Sequence, residues 1–206
     1  MSNIIESIRY FVTNYFKPVT KKHVAICVGH SRAKDKGAVN VLGIYEWHFN
    51  KPLADRVAEL IRDSGQMASV ISHYNGNSYG SAMVDVGKQL KTICANVAVE
   101  LHFNSASSTT ATGFEFLCWH SSERSNALAT RMQKAFHKTF PDQRDRGVKL
   151  ITPADRGGRF LQETHCPAVI CEPFFGSNPK DTAFFYAHRD DLAKAYADGI
   201  LDWLST

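Results

Sequence analysis

Apolar and polar positions follow two alternating patterns along the chain. Short apolar runs predict buried strands, and a 3.6-residue apolar period predicts amphipathic helices between them. The predicted strands cover 23–28, 67–72, 96–103, 113–119 and 167–171. The predicted helices cover 45–63, 81–94, 123–139 and 189–204. Strands that alternate with helices predict a single α/β domain, in which helices flank a largely parallel central sheet.

The first segment of the chain has a pattern of its own. Apolar residues recur at helical spacing from Ile4 to Phe16, and Pro18 ends the pattern. We therefore expect an extra N-terminal amphipathic helix and connector at 1–22, followed by the main domain at 23–206. We expect the helix to dock on that domain. Binding to a membrane surface is the alternative, which is less favoured because the polar face of the helix is not strongly basic.

Composition and charge exclude several classes of protein. The 206 residues are 44% hydrophobic and 21% charged, which is typical of a globular chain and excludes a disordered one. No apolar run approaches the roughly 18 residues of a membrane span, so we expect no stable membrane insertion. The net charge of +4 is too small to indicate a nucleic-acid partner. Residues 120–160 nevertheless carry nine basic and four acidic side chains, which indicates either a solvated face or attraction to an anionic polymer.

The cysteines indicate the compartment of synthesis. There are five, and none forms a CxxC pair, so neither a zinc ribbon nor a complete disulfide framework fits. Four of them lie among apolar residues, where a thiol acts as a small hydrophobe: Cys27, Cys94, Cys118 and Cys171. This usage favours a reducing compartment. Charged residues near the N-terminus interrupt any signal-peptide core, so we expect synthesis in the cytoplasm without a signal peptide.

Polar residues that can carry chemistry stand where predicted elements begin or end. His30 follows the first strand, His102 ends the third, Glu172 follows the strand at 167–171, and Glu46 begins the first helix. Ligands of open α/β sheets bind at the carboxyl ends of the strands. Two imidazoles and one carboxylate form a zinc site with an open position for water, and another carboxylate can act as general acid–base. By spacing alone, hydrogen-bonded core or loop histidines are the favoured interpretation, and a zinc site is the alternative.

A series of motifs changes the balance between these interpretations. In chain order they are Val28-Gly29-His30-Ser31, Lys36-Gly37-Ala38, Gly43-Ile44-Tyr45-Glu46, Glu100-Leu101-His102-Phe103-Asn104, Arg146-Gly147-Val148-Lys149 and the segment 167–178. This series resembles the zinc-dependent N-acetylmuramoyl-L-alanine amidases, the α/β amidases of bacterial cell-wall turnover and of many phage endolysins. The motifs come in the family's order and cover residues 23 to about 204.

The resemblance implies a site, a reaction and a partner. It implies that His30, Glu46 and His102 hold one zinc ion and that Glu172 is the catalytic carboxylate. The implied reaction is hydrolysis, by zinc-activated water, of the amide between N-acetylmuramic acid and L-alanine. The expected partner is therefore peptidoglycan, with no nucleic acid, and we expect a monomer.

Two departures from the family's common pattern indicate the phage endolysin-like branch. Cys27-Val28 stands where Asp-Pro is common, and Pro173 follows Glu172 where many members have Leu or Gly. Together with the missing signal peptide, these features indicate an endolysin that reaches the cell wall, in the periplasm, through a membrane lesion. Two alternatives remain open: a catalytically inactive peptidoglycan-binding module of the same fold, and a zinc peptidase that cuts within the stem peptide.

Three further residues are candidates for supporting roles. Asn104 and Arg156 are predicted to orient the substrate. Glu100 precedes His102 by two residues, so both side chains face the same side of a strand. Glu100 is therefore predicted to accept a hydrogen bond from a ligand imidazole, the alternative being an ordinary hydrogen-bonded carboxylate at a strand end.

Overall fold

The computed structural model describes residues 20–32, 35–153, 155 and 158–206. Nearly all of the helix predicted at 1–22 lies outside the described residues, and so does Arg156. The strands are β1 His23–Val28, β2 Met67–Ile71, β3 Val97–Leu101, β4 Phe114–Trp119, β5 Asp145–Ile151 and β6 Ala168–Glu172. The helices are α1 Glu46–Asp63, α2 Tyr79–Thr92, α3 Glu123–Thr139, α4 Gly158–Glu163, α5 Pro179–Ala187 and α6 Arg189–Leu204.

The strands form one mixed, mostly parallel sheet in the order β2-β1-β3-β6-β4-β5. The β4–β6 pair is antiparallel, and the other neighbouring pairs are parallel. The predicted single α/β domain with a largely parallel sheet is therefore confirmed. Because β1, β3 and β6 are parallel neighbours, their carboxyl ends lie side by side at one edge of the sheet.

Alternate side chains of the central strands pack into two apolar layers. Ile26 and Val99 join a buried cluster with side chains of α1, α3, α5 and α6. Their neighbours Ala25 and Ala98 face the other way and join a cluster with α2 and α4. Strands that are buried on both faces appear in a sequence as continuous apolar runs, so these strands could be predicted from the sequence. None of the helices in the described part of the chain is both long enough and apolar enough to cross a membrane.

Three elements lie outside the ranges given above for the predicted strands and helices. Strand β5 has mostly half-buried or exposed residues, so the sequence shows no apolar run there. Gly147 within this strand has a φ of 85°. Helix α4 has only six residues. Helix α5 does carry a start signal, since the Asn178 side chain caps it and Pro179 occupies its first turn.

The cysteine interpretation needs one correction. Cys27, Cys118 and Cys171 are buried as expected, but Cys94 is exposed. Cys94 follows α2 in a tight turn, with a φ of 51° and its N–H donating to the carbonyl of Lys91. This turn directs the thiol to solvent despite its apolar sequence neighbours.

Candidate metal centre and active site

Three side chains that can bind a metal ion converge at the carboxyl edge of the sheet. His30 lies two residues after β1, His102 directly follows β3, and Glu46 is the first residue of α1. One nitrogen of each imidazole and one oxygen of the carboxylate all lie within 4.8 Å of one another. The parallel pairing of β1 with β3 therefore brings together residues that are far apart in the sequence.

Glu46 is the centre of this group and is only 3% exposed. Its Oε1 lies 2.7 Å from Nδ1 of His102 and accepts the N–H of Phe103 at 3.1 Å. Its Oε2 lies 3.3 Å from Nε2 of His30 and accepts the N–H of Ala38 at 3.1 Å. Burial alone would raise the pKa of Glu46, but the hydrogen bonds with His102 and His30 lower this pKa to about 2. Glu46 is thus a fixed anion.

His30 is held from several sides. Its Nδ1 lies 3.0 Å from Oδ2 of Asp35, and its carbonyl oxygen accepts a hydrogen bond from the hydroxyl of Tyr74. Its backbone has a φ of 65°, a conformation that residues with a Cβ adopt infrequently. Burial opposes protonation of His30, but the contacts with Glu46 and Asp35 outweigh burial and raise its pKa. Because Asp35 engages Nδ1, Nε2 faces the site.

The ring of His102 lies between two carboxylates. Its Nδ1 faces Glu46, and its Nε2 lies 3.2 Å from Oε2 of Glu100, which is 2% exposed. Burial opposes protonation of His102, but Glu100 and Glu46 raise its pKa well above the usual value. A Cβ at Gly29 would come within 2.3 to 2.6 Å of three ring atoms, so only glycine leaves room for the imidazole.

The donor set fits a divalent metal ion. Two imidazole nitrogens and one carboxylate oxygen are a set that zinc uses in proteins. Each imidazole has a carboxylate on its other nitrogen, Asp35 for His30 and Glu100 for His102, which is the usual arrangement around metal-bound histidines. Three carboxylates around two imidazoles also leave negative charge that a cation would balance.

Glu172, the last residue of β6, lies beside this group. Its Oε2 is buried and accepts no hydrogen bond from the described residues. Burial raises the pKa of Glu172 to about 8, and the negative charges of Glu46, Glu115 and Glu100 act in the same direction against the opposing effect of His102. A carboxyl group with a pKa near neutrality can both accept and donate a proton, as a general acid–base must.

A cavity of about 200 Å³ opens next to the two histidines. Asp35, Tyr74, Tyr79 and Glu100 also line it. The cavity places space for a substrate in direct contact with the proposed ligands.

Comparison with known proteins identifies the family. The family model described as N-acetylmuramoyl-L-alanine amidase matches residues 24–202. The chain belongs to this family. The resemblance seen in the sequence is therefore confirmed, and membership makes the chain a peptidoglycan amidase and a hydrolase of the cell wall. No curated protein sequence matches the chain.

Solved structures of amidases share the fold. The catalytic domain of CwlV, an N-acetylmuramoyl-L-alanine amidase from Bacillus (Paenibacillus) polymyxa, is 28% identical with a TM-score of 0.76, covering 89% of this chain and 98% of that one. An N-acetylmuramoyl-L-alanine amidase from Clostridium difficile 630 is 25% identical with a TM-score of 0.76, at 90% and 98% coverage. The catalytic domain of an endolysin that targets Clostridium difficile is 24% identical with a TM-score of 0.76, at 88% and 97% coverage, and supports the fold only.

Asn104 and Arg156 are the two residues that the sequence predicted to orient the substrate. Asn104 follows β3, but its Nδ2 donates to Oε1 of Glu115 at 2.7 Å, and its Oδ1 accepts the N–H of Ser105 at 2.9 Å. Its predicted contact with substrate stays a prediction, because both polar groups of the side chain already have partners. Arg156 lies outside the described residues, and its role also stays a prediction.

Several residues around the amidase site were not found from the sequence. Asp35 lies in the loop after β1, Tyr74 follows β2, and Glu115 and Arg146 lie on β4 and β5. Arg146 belongs to a stretch that resembles the family, and Asp35 directly precedes another such stretch, so the resemblance indicated the position of Arg146 but no contact of either residue. The contact between Glu115 and Arg146 depends on strand register, which a sequence pattern does not reveal.

Proposed function

We propose that this protein hydrolyses the amide between N-acetylmuramic acid and L-alanine, with one zinc ion held by His30, Glu46 and His102. The convergence of these ligand atoms within 4.8 Å carries the proposal, in a chain of the amidase family. When bound, zinc polarises the scissile carbonyl and lowers the pKa of water towards neutrality.

Glu172 moves the protons of the reaction. Its carboxylate takes a proton from the attacking water and delivers a proton to the leaving nitrogen of L-alanine. Burial raises the pKa of Glu172 to about 8 in the metal-free chain, and a cation held nearby would lower this pKa towards neutrality, where the group can accept a proton and donate it again. In this proposal Glu172 is a catalytic residue and not a metal ligand.

Asp35 and Glu100 are positioning residues. Asp35 engages Nδ1 of His30, and Glu100 engages Nε2 of His102. With the ring proton held on that side, the opposite nitrogen presents its lone pair to the ion. Glu46 needs no such partner, since its low pKa keeps it charged.

The two alternatives differ from the proposal in observable ways. An inactive wall-binding module would not need a carboxyl group with a raised pKa beside the ligand set, and Glu172 is such a group. A peptidase that cuts within the stem peptide would use the same site chemistry, so only the identity of the broken bond separates it from the amidase.

We also propose that the amidase acts as a phage endolysin. The support is the Cys27-Val28 opening of the first motif and the Glu172-Pro173 pair, which resemble the phage branch of the family. Expression in a bacterial host tests this role. An endolysin should lyse the host only when a membrane lesion is induced together with it, whereas lysis that needs no lesion would contradict the role.

Product analysis of digested peptidoglycan tests the reaction. Mass spectrometry should find intact stem peptides with a free L-alanine amino terminus and glycan strands without new reducing ends. Chelation should abolish this release, and zinc should restore it. Amino termini at any other residue would identify the peptidase, and new reducing ends in proportion to lysis would exclude an amidase.

The Glu172→Gln variant tests the mechanism. It should retain zinc and the fold but lose about 10²- to 10⁴-fold in rate, the usual contribution of a positioned general acid–base. Glu123→Gln, at an exposed position at the start of α3, is the matched control and should keep full activity. Loss of zinc in Glu172→Gln would make Glu172 a ligand and overturn its proposed role.

A further inference from the structure

The register of β5 is irregular beside the active site. Arg146 and Gly147 of β5 together lie opposite the single residue Glu115 of β4. Gly147 has a φ of 85°, in the left-handed region that glycine tolerates. Bulges of this kind redirect side chains and recur next to active sites. The irregularity brings the side chain of Arg146 to Glu115.

The guanidinium group of Arg146 is held on one edge and one face. Its Nε donates to Oε2 of Glu115 at 2.8 Å, and its central carbon lies 4.9 Å from the ring centre of Phe175. Glu115 is itself fixed by Asn104 through the other oxygen. The side chain is 30% exposed, and its Nη1 and Nη2 donate no hydrogen bond to the described part of the chain. Two parallel donors are therefore fixed in direction and open to a ligand.

This open fork lies close to the catalytic carboxyl group. Glu115 is paired with Glu172 in the antiparallel β4–β6 ladder, and paired residues have Cβ atoms about 4.5–5.5 Å apart on one face. Arg146 lies one strand further, so roughly 10 Å separates its strand from that of Glu172. An extended peptide rises about 3.3 Å per residue, so a carboxylate two or three residues beyond the scissile amide can reach the fork.

The cavity beside the two histidines differs in its charged residues from the Arg146 side of the metal site. The cavity beside the histidines contains the carboxylates of Asp35 and Glu100, and the described residues that line it include no lysine or arginine. Tyr74 and Tyr79 also line it. The described residues on this side therefore offer no lysine or arginine to a peptide carboxylate, whereas Arg146 offers its fork on the side of β5.

We propose that Arg146 binds a carboxylate of the stem peptide through Nη1 and Nη2, and so selects substrates with a free carboxylate on the peptide side of the scissile amide. A guanidinium fork matches a carboxylate with two parallel charge-assisted hydrogen bonds. Glu115 and Phe175 position the fork. The inference rests on the proposed function, because it assumes that the muramyl–alanine amide is the bond broken.

Two matched soluble substrates test the inference: a muramyl peptide with free side-chain and terminal carboxylates, and the same peptide with carboxamides at those positions. The wild type should show a kcat/KM about 10- to 100-fold higher on the free carboxylates, as expected for charge-assisted hydrogen bonds. Arg146→Gln should lose this preference, because its kcat/KM should fall about 10- to 100-fold on the free carboxylates and much less on the carboxamide. Arg131→Gln, which removes a surface arginine paired with Asp202 at 2.9 Å, should keep the preference.

Each outcome decides between the inference and the proposed function. Equal cleavage of both substrates by the wild type overturns the inference alone, and so does an equal loss on both in Arg146→Gln. Failure of the wild type to break the muramyl–alanine amide in either substrate overturns the proposed function as well. If Arg146→Gln does not fold, Arg146→Lys decides, because it keeps the charge without the fork and should lose most of the preference. Full preference in Arg146→Lys contradicts bidentate binding.

Discussion

The Nε2 atom of His102 lies 3.2 Å from Oε2 of Glu100, and this contact leaves Nδ1 as the nitrogen that faces Glu46 and the metal site. Glu100 is almost fully buried, so water screens its charge only weakly. Glu100 therefore orients the imidazole of His102. Its negative charge also favours binding of a cation nearby.

The contact predicts that Glu100→Gln weakens metal binding without abolishing the site. Loss of a carboxylate on the outer nitrogen of a metal-bound histidine typically costs 10- to 100-fold in metal affinity or activity, and we expect about that reduction in zinc affinity. Competition with a chromophoric chelator measures the affinity. Glu163→Gln on α4 removes a carboxylate away from the histidines and is the control. An unchanged affinity in Glu100→Gln would mean that Glu100 is an ordinary strand-end carboxylate.

Gly29→Ala should displace His102. The new Cβ would meet the imidazole at 2.3 to 2.6 Å, closer than any stable contact, so the ring has to move away from Glu46. We expect loss of zinc binding and of activity. Gly80→Ala is the matched control, since a Cβ at this position on α2 meets nothing within 4 Å, and alanine favours a helix by about 0.5–1 kcal/mol. Thermal unfolding and zinc content distinguish the two variants, and zinc binding by Gly29→Ala would contradict the packing argument.

The positions of the four principal residues were predictable, but their contacts were not. His30, Glu46, His102 and Glu172 stand at strand or helix ends, and parallel strands bring such ends together. Spacing alone favoured ordinary core histidines, and the family motifs changed the balance towards a metal site. The pairing of Arg146 with Glu115 depends on an irregular register, so no periodic pattern encodes it.

The raised pKa of Glu172 should be visible in the pH dependence of the stability of the metal-free protein. Its pKa is raised from 4.5 to about 8 in the folded chain, so the folded state keeps a proton that the unfolded state loses between these values. Stability therefore falls as pH rises through this window. Glu172→Gln removes the titrating group. The free energy of unfolding of this variant minus that of the wild type should therefore be about 2–4 kcal/mol larger at pH 8 than at pH 4.5. Chemical denaturation with chelator present, at a series of pH values, measures the difference, and parallel profiles would show that burial does not shift this group.

The basic surface around α3 should contribute to capture of the cell wall. Of the basic residues at 120–160, Lys134 and Lys138 are exposed and form no ion pair with the described residues, whereas Arg131 pairs with Asp202. Salt shortens the reach of such charges to about 8 Å at physiological ionic strength. Rising salt should therefore lower kcat/KM on intact walls more than on a small soluble muramyl peptide.

A pair of double variants locates the charges that act in this capture. Lys134→Gln with Lys138→Gln should reduce the salt dependence on intact walls, because these side chains lie on α3. Lys88→Gln with Lys91→Gln removes the same charge from α2, which packs on the opposite face of the sheet, and should leave the salt dependence unchanged. Equal effects of the two pairs would mean that only net charge matters. Equal salt sensitivity on walls and on the soluble peptide would mean that the basic residues of α3 form only a solvated face.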